Sequence, residues 1–192
     1  MEVAPGTITL LQGANGSGKT TLLQILATLL SPDRGAVTMD GASLAGGRAR
    51  TAARRAIGFA SHRPLLYPAL TPLENLAFFG TLAGHAAPAR VAAELLERFG
   101  MTPYSNATVE RFSRGMLQRV VLAHAFLGDP SILLLDEPYA GLDEEGAVAL
   151  NGALRAARDR GAGCLVVTHE AERLGSLTAR RLRIESGRVE AA

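Results

Sequence analysis

The sequence predicts an α/β fold built on a mostly parallel sheet, with a helical insertion in its middle third. Short apolar runs alternate with longer helical segments, which is the pattern of strands joined by crossover helices. Two runs, 132–135 and 165–168, are apolar except for Thr168 at the end of the second, as strands covered on both faces are. Three helical segments follow one another without a strand in the insertion. We therefore expect a single domain that spans residues 1–192. Residues 1–70 and 129–192 should form its core, and residues 71–128 a helical subdomain.

The predicted core begins with a strand and a helix that enclose a glycine-rich loop. Its first elements are, in order, a strand at 8–11, a helix at 18–30, a turn at 32–35, a short strand at 36–39, a turn at 40–41 and a strand at 57–60. The insertion follows with helices at 72–82, 88–99 and 113–127. Two of these helices carry proline in the first turn, where its missing N–H costs no hydrogen bond.

The second part of the core repeats the alternation of strand and helix. A helix at 143–160 lies between the two apolar strands, and Gly161 ends it. Two short strands at 182–184 and 188–190 flank Ser186 and Gly187, which is a hairpin signal. These elements complete the predicted sheet.

The composition is that of an ordinary globular protein. Of the 192 residues, 47% are hydrophobic and 20% are charged, so the chain can bury a sizeable core. The formal net charge is only +2 and like charges form no long block, so we expect no nucleic-acid partner. Cys164 is the only cysteine, which excludes an intrachain disulfide. No run reaches the roughly 20 apolar residues of a membrane helix, and we expect a cytoplasmic protein that meets a membrane only through a partner.

Residues 13–20, GANGSGKT, fit the phosphate-binding loop pattern G-x-x-x-x-G-K-[ST] and lie between a strand and a helix. Backbone N–H groups in such a loop surround phosphate oxygens, and the helix N-terminus adds partial positive charge. We expect Lys19 to contact the β- and γ-phosphates of ATP and the Thr20 hydroxyl to bind Mg²⁺. The predicted nucleotide-binding residues here are Gly13, Ala14, Asn15, Gly16, Ser17, Gly18, Lys19, Thr20 and Thr21.

Two acidic residues follow the apolar strand at 132–135. Asp136 and Glu137 stand at the carboxyl end of this strand, where ligands bind in parallel α/β sheets. We expect Asp136 to hold Mg²⁺, and Glu137 to act as general base on an attacking water. A solvated turn would explain the pair equally well if it stood alone, but a phosphate-binding loop 116 residues upstream of Asp136 favours the catalytic interpretation.

Further motifs resemble the ATP-binding subunit of an ATP-binding cassette (ABC) protein, and they cover nearly the whole chain. Residues 112–119, FSRGMLQR, resemble the family signature, usually LSGGQ followed by x-Gln-Arg. Ser113, Gly115, Gln118 and Arg119 match it, and the first three are expected to bind nucleotide. Phe112, Arg114 and Met116 replace a leucine, a glycine and a glutamine. Without the family, Ser113 is simply the N-cap of a helix, and both interpretations can hold together.

The resemblance also assigns two later residues and a split site. Asp143, in AGLD, matches the family loop after the acidic strand and is therefore expected at the nucleotide. It is also the expected N-cap of the next helix. His169 follows an apolar strand and matches the family histidine that contacts the γ-phosphate and holds Glu137 and water. In this family two chains sandwich each ATP, which implies a homodimer or a pair with a similar subunit. The helical subdomain is expected to dock transmembrane permease subunits.

Within the family, the chain is similar to the ATPase of the haem exporter of cytochrome c biogenesis, and to drug, polysaccharide or ABC-2-type exporter subunits. The run LLYPALTPLENL at 65–76 and the SRGM of the signature carry this likeness. Two alternatives remain from the sequence. One is a soluble ABC ATPase of DNA repair or translation, which usually has a long coiled-coil insertion or two cassettes. The other is a regulator that binds nucleotide without turnover.

The sequence departs from the family pattern at two places. Family members usually carry further strands upstream, with an aromatic residue that stacks on adenine, and no aromatic residue precedes the loop at 13–20 here. The start is then misassigned, the chain truncated, or the adenine site incomplete. His62 stands where the family has a glutamine that contacts Mg²⁺ and the lytic water. Its imidazole either takes over that role as a metal-site residue or points away while water reaches the metal.

Overall fold

The computed structural model describes residues 1–61, 65–185 and 187–192. The strands within these residues are β1 (Ile8–Gln12), β2 (Thr38–Met39), β3 (Ala42–Ser43), β4 (Ile57–Ala60), β5 (Ile132–Asp136), β6 (Gly163–Val167), β7 (Arg180–Glu185) and β8 (Arg188–Ala191). The α-helices are α1 (Lys19–Leu26), α2 (Gly47–Ala56), α3 (Pro72–Ala83), α4 (Pro88–Arg98), α5 (Arg114–Ala125) and α6 (Glu144–Asp159).

A six-stranded sheet with the order β4-β5-β6-β1-β7-β8 forms the centre of the fold. The pairs from β4 to β7 are parallel, and only the edge strand β8 runs antiparallel to its neighbour. The predicted mostly parallel α/β sheet is therefore confirmed. The predicted hairpin is β7 with β8, although Ser186 in its turn lies outside the described residues.

The strand β1 lies in the interior of the sheet and contributes to both of its faces. Ile8 and Leu10 belong to one large core cluster with residues of α4, α5 and α6, and all are fully buried. Leu11 and Leu23 belong to a smaller cluster in which α1 packs on the other face. Helices on both faces of parallel strands explain why β5 and β6 are apolar almost throughout.

The helices α3, α4 and α5 follow one another between β4 and β5, as predicted. Thr71 begins α3 with a capping box, because its hydroxyl accepts from the Glu74 N–H at 3.2 Å and Glu74 accepts from the Thr71 N–H at 2.8 Å. Asn75 is fully buried, accepts from the Tyr67 N–H at 2.7 Å and donates to the carbonyl of Thr71 at 3.0 Å. This amide fixes the loop at 67–71 against the helix.

The helix α1 is shorter than the predicted 18–30, because the chain turns sharply after Leu26. Thr28 has a φ of 60°, a left-handed conformation that ends a helix. The Arg54 guanidinium donates to both the hydroxyl and the carbonyl of Thr28, at 2.9 and 2.8 Å. Leu29 and Leu30, which extended the apolar pattern in the sequence, are exposed.

Two elements between residues 36 and 56 were predicted wrongly or not at all. The strand expected at 36–39 covers only Thr38–Met39 and pairs with β3 in a separate hairpin outside the main sheet. The helix α2 was missed because its apolar residues are only alanines set among arginines. These alanines recur at helical spacing, but Ala53 alone is buried.

None of the helices in the described ranges combines the length and the apolar character that crossing a membrane requires.

Glycine at position 58 allows α5 to lie directly on β4. A Cβ at Gly58 would stand 1.9 Å from the Ala125 carbonyl oxygen and 2.8 Å from a methyl carbon of Leu133. Both neighbours belong to buried packing that cannot move aside locally. The position of α5 against the sheet therefore depends on this residue.

We predict that Gly58→Ala lowers the free energy of unfolding by about 3 kcal/mol or prevents folding, because the added methyl group overpacks the contact with α5. Gly152→Ala is the matched control. Gly152 lies in α6 with open space around its Cα, so alanine should raise stability by about 0.5–1 kcal/mol. Chemical denaturation of both variants tests the contact, and equal stabilities would contradict it.

His124 on α5 is packed against α3. Its ring lies 4.4 Å from the ring of Phe79 on α3, in an edge contact. Burial lowers the pKa of His124 from its ordinary 6.5 to about 4, because the apolar surroundings disfavour the imidazolium. The folded chain therefore holds this histidine neutral, while the unfolded chain protonates it below about pH 6.5.

We predict that this histidine makes the fold less stable in acid. As pH falls, the unfolded chain binds the proton first, so stability is full above the unfolded pKa and decreases below it. Between pH 7 and pH 5 the loss should be about 2 kcal/mol. Urea unfolding of His124→Leu across this range should lack that part of the pH dependence, and His85→Gln should retain it. An unchanged slope in His124→Leu would contradict the prediction.

Candidate functional site

The loop at 13–18 connects the carboxyl end of β1 to the amino end of α1. Gly18 precedes α1 with a φ of 99°, and Lys19 opens the helix. A Cβ at Gly13 would stand 2.6 Å from the Ile184 carbonyl oxygen of β7, so only glycine allows the loop to start this close to the neighbouring strand. The exposed backbone of Ala14, Asn15 and Gly16 forms the outer part of the loop.

Lys19 folds back over this loop. Its Nζ donates to the carbonyls of Gly13 and Ala14, both at 2.8 Å. The ammonium thus stands at the mouth of the loop where an anionic ligand would meet it. Lys19 is also the only lysine in the chain. Thr21 lies exposed in the first turn of α1, where N–H groups have no partner in the helix.

Thr20 and Asp136 meet at the junction of α1 and β5. The Thr20 hydroxyl donates to a carboxylate oxygen of Asp136 at 2.7 Å. Asp136 ends β5 and is only 4% exposed, so its charge is held close to the sheet. Thr20 and Asp136, which are 116 positions apart in the sequence, are therefore in contact, as the sequence predicted.

Glu137 turns the chain sharply as it leaves the sheet. Its φ of 49° is left-handed, which is uncommon outside glycine and is stabilised here by an N–H bond to the Val167 carbonyl at 2.8 Å. The carboxylate accepts from the backbone N–H of His169 at 3.2 Å. The His169 ring nitrogen Nε2 lies 3.4 Å from the other carboxylate oxygen. The two predicted catalytic residues are thus in contact.

The junction of α1 and β5 supplies some of the oxygen ligands that Mg²⁺ requires. Magnesium binds hard oxygen ligands and usually takes only one or two from the protein, with the rest from phosphate and water. Thr20 and Asp136 supply such a pair. The described residues contain no cluster of three or more His, Cys, Asp or Glu that could hold a metal by itself. The Ser17 hydroxyl oxygen nearby is buried and has no protein partner in the described structure.

A cleft of about 320 Å³ opens in front of the loop. It is lined by the residues Gln12, Gly13, Ala14, Lys19, Thr168, His169, Arg183, Ile184 and Glu185. Lys19 and His169 were predicted to share a site. The contributions of Arg183 and Glu185 were not predicted, because nothing in the sequence indicates that β7 pairs with β1.

The signature segment, residues 112–119, contains the start of α5, and none of its residues lines this cleft. The Ser113 hydroxyl caps α5 by accepting from the Met116 N–H at 3.3 Å. Gly115 packs on the Gly141 backbone, since a Cβ there would stand 2.6 Å from the Gly141 carbonyl oxygen. Neither Ser113 nor Gly115 lines the cleft of the same chain within the described residues. Their predicted contact with nucleotide stays a prediction.

Gln118 and Asp143 hold α5 against the acidic strand end. The Gln118 side chain donates to the Pro138 carbonyl at 3.0 Å, one residue beyond Glu137. Asp143 caps α6 by accepting from the Gly146 N–H at 2.9 Å, and also accepts from the Arg119 guanidinium. These bonds hold the pKa of Asp143 below its ordinary value. Arg119 is buried and donates to the Phe99 carbonyl at 2.9 Å, a bridging role that the sequence motif did not indicate.

His62, predicted at the metal site, lies outside the described residues. The position before the gap, Ser61, follows directly from β4.

Comparison with known proteins places this geometry in a family. A family model described as ABC transporter matches residues 1–140. The chain is 35% identical over 192 residues to the ABC transporter ATP-binding protein NatA of Bacillus subtilis, and the match covers 98% of the chain and 77% of NatA. It is 38% identical over 185 residues to the cytochrome c biogenesis ATP-binding export protein CcmA of Xanthomonas campestris, covering 96% of the chain and 84% of CcmA.

A third relative and two solved structures agree with these matches. The daunorubicin resistance ATP-binding protein DrrA3 of Streptomyces coeruleorubidus is 37% identical over 192 residues, covering 98% of the chain and 60% of DrrA3. The structure of an ATP-binding subunit of an ABC transporter superposes with a TM-score of 0.86 at 31% identity, covering 98% of the chain and 78% of that subunit. The dimeric structure of a bacterial ABC transporter cassette gives 0.88 at 26% identity, covering 100% and 88%. The chain therefore belongs to the ABC transporter family, as an ATP-binding domain.

Proposed function

We propose that the chain is the ATP-hydrolysing subunit of a membrane exporter. The observation that carries this proposal is the meeting of the Thr20 hydroxyl with Asp136 at 2.7 Å, beside the only lysine of the chain and the pair formed by Glu137 and His169. A cation for phosphate, oxygen ligands for a metal and a carboxylate base stand at one edge of one sheet. These are the parts that phosphoryl transfer to water requires.

The nucleotide phosphates would bind in the loop between β1 and α1. Lys19 exchanges its two carbonyl partners for β- and γ-phosphate oxygens, and the N–H groups at the start of α1 face the same anion. Thr20 and Asp136 would hold Mg²⁺, which supplies positive charge to the phosphate oxygens. Lys19 already lines the cleft, and Thr20 and Asp136 are already in contact, so these contacts need no large rearrangement of the strands.

Glu137 is the proposed general base. Its carboxylate takes a proton from a water whose oxygen bonds to the γ-phosphorus, and the bond from that phosphorus to the bridging oxygen breaks to give ADP and phosphate. His169 keeps the carboxylate oriented through its backbone N–H and its ring. The backbone of Glu137 is left-handed, and its carboxylate contacts His169, which lines the cleft.

We also propose that a second copy, or a similar subunit, completes each site. Ser113 is exposed at the start of α5 and is absent from the cleft of its own chain. An N-terminal helix turn carrying a serine hydroxyl is suited to an anion, and here it faces outward. The printed description of one similar solved structure is of a dimeric cassette, which supports this arrangement.

The helical subdomain is the proposed docking surface for a permease subunit. Tyr67, Phe78 and Leu82 are 49%, 40% and 61% exposed, and they form an apolar patch on the outer side of α3. The rings of Tyr67 and Phe78 touch, with centroids 5.2 Å apart. Exposed aromatic side chains in contact with one another favour a protein partner. The permease would hold the chain on the cytoplasmic face of the membrane.

The patch is connected to the catalytic edge through packed side chains. Phe79, beside Phe78, contacts His124 on α5. On the same helix, Gln118 donates to the Pro138 carbonyl next to Glu137. Movement of the docked permease therefore shifts the helix that carries the signature, and this helix touches the segment that carries the base.

Export is the direction that the relatives favour. Relatives named for cytochrome c biogenesis export and for daunorubicin resistance match the chain at 38% and 37% identity. The narrower proposal is haem export for cytochrome c biogenesis, which the repeated similarity to CcmA proteins of Xanthomonas supports.

We predict that Glu137→Gln binds ATP but hydrolyses it at least about a hundredfold more slowly, because the amide cannot accept the proton. Phosphate release measures hydrolysis. Nucleotide binding is read from protection of Lys19, the only lysine, against an amine-reactive reagent, with the modified peptide identified by mass spectrometry. With ATP this variant should also elute as a dimer.

Glu172→Gln, at an exposed carboxylate in the segment after His169, is the matched control and should hydrolyse ATP normally. Normal turnover in Glu137→Gln would exclude Glu137 as the base. Absence of ATP binding by the unaltered chain would overturn the nucleotide-binding proposal itself.

We predict that Phe78→Ser abolishes co-purification with the permease while ATP hydrolysis by the isolated chain stays within about twofold, because the change removes apolar contact area and leaves the catalytic edge intact. Val148→Ser, at an exposed apolar residue on α6, should not affect co-purification. The cargo is tested in a bacterium that lacks its cytochrome c biogenesis export ATPase, where the chain should restore haem-bearing cytochrome c and Phe78→Ser should not. Retained permease binding in Phe78→Ser would exclude this patch.

A further inference from the structure

We propose that Arg183 and Glu185 on β7 form the ribose side of the nucleotide site, with Arg183 binding the phosphate nearest the ribose and Glu185 the ribose hydroxyls. This inference rests on the proposed function, because it assumes that the loop between β1 and α1 binds ATP. It adds two residues that lie outside the motifs of the sequence. Both line the same cleft as Lys19 and His169.

The register of the sheet places Arg183 level with the catalytic edge. Leu11 of β1 pairs with Val167 on one side and with Leu182 on the other, and Val167 pairs with Asp136. Arg183 itself pairs with Gln12, the residue before the loop. Arg183 is thus one strand from β1, and the acidic strand end is two strands away on the opposite side. Neighbouring strands lie about 4.8 Å apart.

The backbone of β7 reaches the loop itself. A Cβ at Gly13 would stand 2.6 Å from the Ile184 carbonyl oxygen and 2.7 Å from a methyl carbon of the same residue. The Ile184 side chain also approaches Gly18, within 3.8 Å of where a Cβ would be. The residues on either side of Ile184 therefore stand beside the first residue of the loop, not at a distant edge.

The position of the terminal phosphate decides which part of the nucleotide reaches β7. Glu137 and His169 act on the γ-phosphate and belong to the ends of β5 and β6. With that phosphate toward β5, the rest of the nucleotide leaves the loop in the other direction. The first strand in that direction is β7. The cleft continues over the end of β1 onto this strand.

The order of charges along β7 matches the order of groups along the nucleotide. Arg183 stands level with Gln12, close to the loop, where the innermost phosphate would lie. Glu185 is two residues farther along the same face, beyond the phosphates. A guanidinium binds phosphate oxygens strongly, and a carboxylate accepts hydrogen bonds from hydroxyl groups. The opposite order would place the carboxylate against the phosphate.

Both side chains are available for a ligand. Each is exposed, and neither makes a hydrogen bond or an ion pair of 4 Å or less with the described part of the chain. Arg183 faces Glu190 and Gln12 across the sheet, and Glu185 faces Arg188, without closing such a pair. Arg181 lies on the same face of β7 but is absent from the cleft. This arginine provides a control of equal charge.

The test measures binding of magnesium ATP, 2′,3′-dideoxy-ATP and inorganic triphosphate to the full chain by calorimetry. Arg183→Ala should weaken ATP binding by about tenfold, as loss of one charge-assisted hydrogen bond does. Arg183→Lys should recover part of this loss, and Arg181→Ala should bind ATP normally. Glu185→Ala should weaken ATP binding, leave dideoxy-ATP unchanged, and bind inorganic triphosphate as tightly as the unaltered chain or more tightly.

Three results would overturn the inference. They are unchanged ATP binding in both Arg183→Ala and Glu185→Ala, equal losses in Arg183→Ala and Arg181→Ala, and equal losses of ATP and triphosphate binding in Glu185→Ala. The second result would mean that only net charge matters, and the third that Glu185 acts through the fold. If the unaltered chain bound no ATP, the proposed function would fail instead. Melting temperatures of all variants confirm that each is folded.

Discussion

Parallel pairing of β5, β6, β1 and β7 is the constraint on which the rest of the molecule depends. Parallel strands bring their carboxyl ends to one edge, and the register aligns Asp136, Val167, Leu11 and Leu182 in a single row across the sheet. Asp136 stands in this row, and the other charged residues of the site follow the row along the chain. The Thr20–Asp136 bond then connects the helix after the loop to the strand two places away. A slip of one residue in any pair would point the wrong side chains at the cleft.

Tight packing contacts hold the elements that carry the candidate site at the carboxyl edge of the sheet. Ile184 approaches the position of a Gly13 Cβ at 2.6 Å, and the Ala125 carbonyl approaches that of a Gly58 Cβ at 1.9 Å. The first contact sets the loop beside β7, and the second sets the signature helix upon β4. Close packing transmits displacement because it leaves no void to absorb it. The proposed nucleotide binding at the loop and the proposed docking at the helices would therefore act on one connected structure.

The sequence predicted those elements whose local chemistry and burial agree. The loop at 13–20, the buried strands β5 and β6, and the caps at Ser113 and Asp143 were each predicted from a short pattern with a direct physical cause. The helix α2 gave only a weak signal, because its apolar residues are alanines set among arginines and Ala53 alone is buried. The early end of α1 depends on Arg54, which lies far along the chain.

Strand order was the main property that the sequence could not reveal, and it has consequences for the site. Arg183 and Glu185 look like the solvent face of an edge hairpin until β7 is seen to pair with β1. Arg119 matches the signature motif, but the motif does not indicate its bonds to Phe99 and Asp143. Both arginines join segments distant in sequence, and no local pattern encodes such pairs. Motifs thus indicate the candidate catalytic groups, whereas the packed sheet determines which further residues surround them.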